Sequence, residues 1–270
     1  MGIWYGSEVG RRLAGATAAL VVGAGAVAVL APRGGGSPVR VAEGVSASVY
    51  ASAVGWVAGS PSWVGPVLEV ATDATLIGLV VLYTVVAFVT LFRRDVVGLA
   101  ALSLVVVGST AAYGLSEVVK VVVAQERPCR VVAAEVAAHC PAVGDWSFPS
   151  NHSVIAMGIA AGLAVARPRL AWVTLPLGVA GVVLRVLVGV HYPHDVVAGA
   201  VWGGMAVAAL MLVFAAPLGH VYTFVLTPLS FFAPRAGGRH AAVPGARGAV
   251  PHAVRDTVVD LPVVRDVPRR

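Results

Sequence analysis

DVVAGAVWGGMAVAALMLVFAAPL, residues 195–218, carries one charged residue, Asp195, and it stands at the start. The rest of the run is continuously apolar, and a helix needs ~20 such residues to cross the hydrocarbon of a bilayer. Lipid offers the backbone no hydrogen-bond partner, so a run of this kind reads as a helix that satisfies its own N–H and C=O groups. Five more runs lie upstream, at 13–31, 72–92, 96–123, 153–166 with flanking residues, and 170–189. The 270-residue chain is 58% hydrophobic and 12% charged, with a mean hydropathy of +0.87, outside the range of soluble domains. The short alternating strands of a membrane barrel are absent from the pattern. The expected fold is all-α, a polytopic membrane helical bundle with about six transmembrane helices.

Basic residues assign the sides, because loops kept in the cytoplasm retain Lys and Arg. Of the 19, thirteen fall at Arg11 and Arg12, at Arg93 and Arg94, at Arg167 and Arg169, and in the stretch from Arg235 to Arg270. Both termini are therefore expected in the cytoplasm of a multi-pass cell-membrane protein, with the loops near 32–70, 124–152 and 190–194 facing outward. The first run exceeds the ~7–15-residue apolar core of a signal peptide and is read as a retained span.

The chain divides into three regions. Residues 1–67 hold the first span and an outward loop, read as irregular and interfacial from Gly34-Gly35-Gly36, its Ser and Pro residues, and Tyr50, Trp56 and Trp63. Residues 68–220 form the core of membrane helices. Residues 221–270 comprise an interfacial segment and a basic, Pro- and Gly-rich tail expected to be disordered in the cytoplasm. Cys129 and Cys140 share one outward loop, where an oxidising compartment permits a disulfide; two free thiols are the alternative.

An ionisable group in or beside an apolar span costs ~2.5–3.5 kcal/mol at the helix centre, so each such group invites a functional reading. Lys120 is the only lysine beside eighteen arginines, and Arg127 stands two helical turns later, just before Pro128. Two cations on one face at a bundle mouth suit a phosphate. Pro149-Ser150-Asn151-His152 leads into the fourth run, which places Ser150 or Asn151 as a helix cap and gathers free N–H groups beside His152. His191 and Asp195 are four apart around Pro193, a spacing that lets the carboxylate hold one imidazole nitrogen and leave the other basic. A structural His–Asp bond is the plainer account of that pair alone. Arg185 lies inside the fifth run, with Glu117 as a candidate partner. All these groups fall at outward helix ends, and together they offer charge neutralisation, a nucleophile and an acid.

Lys120-x6-Arg127-Pro128, Pro149-Ser150-Asn151-His152 and Arg185-x5-His191-x3-Asp195, in this order, resemble the three motifs of the membrane-bound type 2 phosphatidic acid phosphatases, relatives of bacterial acid phosphatases and vanadium haloperoxidases. The resemblance covers about residues 70–220. It departs at Asn151, where the family usually has Gly, and at Leu184, where it usually has Ser. It implies that His191 attacks phosphorus and forms a phosphohistidine, that Asp195 orients it, and that His152 protonates the leaving oxygen. Lys120, Arg127, Ser150, Asn151 and Arg185 are implied as the phosphate-binding set, with no metal and no cofactor.

The implied partner is a lipid phosphate within membrane lipid: a polyprenyl diphosphate, phosphatidic acid or phosphatidylglycerol phosphate. No nucleic-acid partner is expected. A transporter or flippase that binds a phosphorylated lipid without hydrolysis is the rival reading, since intramembrane charge serves it equally.

Overall fold

The computed structural model describes residues 2–33, 38–226 and 229, with side chains from residue 8 onward. Its helices are α1 (Gly2–Leu30), α2 (Val45–Ala58), α3 (Val64–Phe92), α4 (Val96–Val123), the single turn α5 (Pro128–Val131), α6 (Asn151–Ala166), α7 (Ala171–Leu187) and α8 (Pro193–Leu226). The chain is an all-α, multi-pass membrane bundle. Five of these helices, α1, α3, α4, α7 with its preceding 3-10 turn, and α8, are long and apolar enough to cross a membrane. The sixth run forms α6, whose 16 residues rise only ~24 Å. It begins inside the bundle rather than at its rim, since Ser150, Ser153 and Val154 at its start are fully buried.

The hub is α8, which packs against α1, α4 and α6. Its contact with α6 is backbone to backbone. A Cβ on Gly203 would overlap the carbonyl oxygen of Val154, and one on Gly199 would overlap that of Ser150. Small residues replace the hydrophobic drive that helices lack in lipid, letting two backbones touch. The Ser150 N–H donates to the Asp195 carbonyl at 3.0 Å, which ties the first residues of α6 and α8 together. On the side toward α4, Trp202 Nε1 donates to the Ala112 carbonyl at 2.9 Å.

At the end away from the motifs, Asp95 caps α4 by accepting from Gly98 N at 2.8 Å and pairs with Arg167 at 2.8 Å. One carboxylate thus joins the α3–α4 turn to the α6–α7 turn.

The motif-bearing end is more ordered than its composition suggested. Residues 32–70 are not an irregular loop throughout: they contain α2 and the first turns of α3, which starts at Val64 rather than near 72. Ala47, Tyr50, Val54 and Val57 recur at helical spacing and are buried. Tyr50 packs against Tyr192, and its hydroxyl donates to the Gly189 carbonyl at 2.9 Å. Gly189 sits at φ 86°, so this turn before His191 requires glycine. Val39 bridges to the strand-like residues after α4, donating to Ala124 O at 2.9 Å and accepting from Glu126 N at 2.8 Å. Cys129 and Cys140 are disulfide-bonded. Beyond residue 220, α8 continues to Leu226, and the expected tail lies outside the described residues.

Gly203→Val is expected to destabilise the bundle by roughly 3 kcal/mol, because the obstacle is backbone that cannot repack. Gly204→Ala, whose Cβ would sit 3.7 Å from Ala161, is expected to be neutral. Thermal unfolding of the two proteins in detergent measures the difference.

Candidate active site

The ends of α4, α6 and α7 that carry the motifs, and the loops beside them, surround one cavity of about 370 Å³, which Lys120, Arg127, Asn151, His152, Arg185 and His191 all line. Five separate stretches of sequence therefore meet at one place. Asp195 and Ser150 stand behind the lining, both fully buried.

His191 lies in the turn between α7 and α8, 2% exposed. Its Nε2 is 3.1 Å from Nη1 of Arg127. A guanidinium only donates, so Nε2 accepts and carries no proton, which puts the imidazole proton on Nδ1. On that side Ser147 Oγ lies at 3.3 Å and Asp195 Oδ2 at 3.5 Å. Oδ2 is itself held by Ser147 Oγ at 2.5 Å and by the Tyr192 N–H at 2.9 Å. Burial pushes the His191 imidazole down to about 3; Asp195 pulls the other way, and the charge of Arg127 adds to the depression. The result is a neutral imidazole whose unprotonated Nε2 is held by Arg127, the protonation state a nucleophile needs.

His152 occupies the first turn of α6, where its Nε2 donates to the Thr72 carbonyl of α3 at 3.1 Å. With that nitrogen engaged, Nδ1 is the one free to carry a proton to or from a bound group.

Lys120 and Arg127 meet at the cavity by a different route from the one their spacing suggested. They do not share a helix face, because α4 ends at Val123 and Ala124 closes it at φ 47°. Arg127 instead projects from extended backbone just ahead of Pro128, the first residue of α5. Its Nε donates to the Asp145 carbonyl at 2.9 Å and its Nη2 to Asp145 Oδ1 at 2.9 Å. Lys120 Nζ reaches the same Oδ1 at 3.3 Å. Burial alone would raise the Asp145 carboxyl, but the hydrogen bond and charge of Arg127, together with Lys120, hold it below the usual carboxylate range.

Arg185 does not pair with Glu117. Its buried Nε has no hydrogen-bond partner among the described residues. Glu117 instead lies 3.7 Å from Lys120 and accepts from the Asn151 amide, whose oxygen accepts from Ser116 Oγ at 2.6 Å. The hydroxyl of Ser150 turns inward, accepting from Ser153 Oγ at 3.1 Å as it caps α6.

Sequence reasoning missed Asp145, Ser147 and the Thr72 carbonyl. The first two stand just ahead of Phe148-Pro149 in a chain with 13 acidic residues, and that proximity was the available signal. A backbone carbonyl leaves none.

Fold and motif geometry together define a helical membrane protein whose three motifs converge on one polar cavity. Residues 98–217 match the PAP2 superfamily. It is 39% identical over 98 residues to an undecaprenyl-diphosphatase of Sulfolobus acidocaldarius, covering 35% of this chain and 46% of that one. It is 37% identical over 73 residues to the bacitracin transport permease protein BcrC of Bacillus licheniformis, covering 27% and 35%. The chain thus matches less than half the length of either curated relative. Its fold is that of the transmembrane PAP2-type phosphatidylglycerolphosphate phosphatase from Bacillus subtilis, with a TM-score of 0.50 and 20% identity over 72% of this chain and 93% of that one.

An unfolded histidine titrates near ~6.5, and His191 in the fold near about 3, so the folded state favours the neutral form. Stability from this group is complete above ~6.5 and is lost as pH falls from there toward 3. Against His191→Gln, the wild-type protein is therefore expected to lose on the order of 1–2 kcal/mol between pH 7 and pH 5, read from unfolding midpoints in detergent.

Proposed function

We propose that the protein is a membrane lipid phosphatase that works through a phosphohistidine and without a metal, with a polyprenyl diphosphate as its substrate. The observation that carries this reading is the unprotonated Nε2 of His191, its ring fixed by Arg127 on one side and by Asp195 and Ser147 on the other, in a cavity that also holds Lys120 and Arg185.

The chemistry derives from the donors. When the phosphoryl oxygens draw Nη1 of Arg127 away, the freed lone pair of His191 Nε2 attacks phosphorus as the bond to the leaving oxygen breaks, and His152, protonated on Nδ1, gives that oxygen its proton. Asp195 stabilises the charge that develops on the imidazole. Water, deprotonated by the now neutral His152, then cleaves the P–N bond and releases phosphate. Arg127, Lys120, Arg185 and the N–H groups opening α6 neutralise the phosphoryl oxygens, which is the task a metal performs in other phosphatases.

An apolar groove of about 470 Å³ supports a lipid substrate. It runs between α3, α4 and α6, lined by Val80, Val106, Ile155 and Ile159, and Tyr113 borders both it and the polar cavity. A headgroup and an apolar tail thus have adjoining places. The undecaprenyl-diphosphatase relative favours a polyprenyl diphosphate over a glycerolipid phosphate. The basic residues support an outward-facing site with both termini in the cytoplasm: Arg93, Arg94, Arg167 and Arg169 gather at the end of the bundle opposite the cavity.

Phosphate release by detergent-purified protein from polyprenyl diphosphates and glycerolipid phosphates, in EDTA, tests the reading. Release is expected in EDTA, fastest from a polyprenyl diphosphate, and at least about a thousandfold slower in His191→Ala. Phosphate binding without release from any lipid would favour the transporter instead.

A further inference from the structure

The two most buried cations of the site are already occupied. Lys120 and Arg127 expose 8% and 4% of their side chains, yet both hold one oxygen of Asp145, whose own side chain is 46% exposed. The carboxylate is the sort of planar, bidentate-compatible anion that a guanidinium takes in place of phosphate. It sits on Nη2 of the same guanidinium whose Nη1 touches the nucleophilic nitrogen of His191. A phosphate dianion that reached phosphoryl-transfer distance of Nε2 would need the position that this carboxylate holds, or would face it at close range across one cation.

We infer that Asp145 is an internal stand-in for the substrate's phosphate: it fills the anion position of the resting site and, by competing for Arg127 and Lys120, sets how tightly the site binds phosphate. The inference rests on the phosphate-binding reading of the cavity but not on hydrolysis.

Two physical arguments favour this over a purely structural role. Buried cations need a counter-charge when no substrate is present, and Asp145 supplies it to both at once. Lys120, Arg127 and Arg185 face Glu117 and Asp145 across the cavity, which with His152 neutral leaves a net charge of one positive unit for an incoming dianion. Moving the carboxylate out restores the second. The other argument is that Asp145 holds Arg127 twice, and the two contacts are separable. Its backbone carbonyl accepts from Nε, so the half-exposed side chain can swing to solvent while the guanidinium stays placed. Phosphate release after each turnover would be helped by the same return of the carboxylate.

Binding of inorganic phosphate to the full chain in detergent, measured by titration calorimetry, distinguishes the roles. Asp145→Asn and Asp145→Ala both keep the backbone contact, so either one that unfolds cooperatively serves. Competition predicts on the order of tenfold tighter phosphate binding than wild type, with Asp145→Glu close to wild type. Unchanged or weaker binding in the neutral variants would mean that Asp145 only positions the cations, and would overturn the inference. Phosphate binding that tightens in a protein with no lipid hydrolysis would uphold the inference while sinking the phosphatase reading. Absence of phosphate binding in every form would sink the inference, while phosphate release from lipids decides the phosphatase reading separately.

Discussion

The structure depends on one close approach, that of the α6 backbone to α8 across Gly199 and Gly203. It sets the distance between the two helix starts that carry the second and third motifs, and the Ser150 N–H to Asp195 carbonyl bond fixes their register. Helices in lipid gain little from burying apolar surface, because the tails around them are as apolar as their own side chains. What holds α6 in place is therefore packing at van der Waals contact, with no side chain between the two backbones. A methyl group there would move His152 relative to His191, so the precision of the cavity is set in the membrane below it.

Above that joint, the cavity is organised by a single guanidinium. Arg127 donates to the Asp145 carbonyl and carboxylate, to the Val190 carbonyl and to His191. A lysine has no planar fork and could not reach these partners with fixed geometry. The contact with His191 has a chemical consequence: because a guanidinium can only donate, it engages the lone pair of Nε2 and sends the proton to Nδ1. Asp195 and Ser147 complete the arrangement from behind. Residue type thus decides the tautomer, and the tautomer decides which nitrogen can act.

The membrane helices were legible because a bilayer imposes length and composition on each of them. The motif residues were legible because charge within apolar sequence is costly and must be explained. Three features escaped. The helix α2 was hidden because Gly, Ser and Pro around it suggest a loop, although Ala47, Tyr50, Val54 and Val57 keep helical spacing. The convergence of Lys120 with Arg127 was reached for the wrong reason: helical periodicity was extended through Ala124, where nothing in an alanine warns of a left-handed backbone. The third, Asp145 bound to both cations, is a long-range contact between a loop and a helix end, and no local pattern encodes it.

Asn151 illustrates how a departure from a motif can be absorbed by its neighbours. Glycine at this position would leave Glu117 with Lys120 as its partner. Here the Asn151 amide donates to Glu117 and its oxygen takes the Ser116 hydroxyl, so the first residue of α6 is tethered to α4 at two points. A carboxylate that shares its charge with an amide competes less for the ammonium one turn away. Lys120, 3.7 Å from Glu117 and 3.3 Å from Asp145, is then held most closely by Asp145. The substitution adds a tether between two helices and leaves Lys120 lining the cavity.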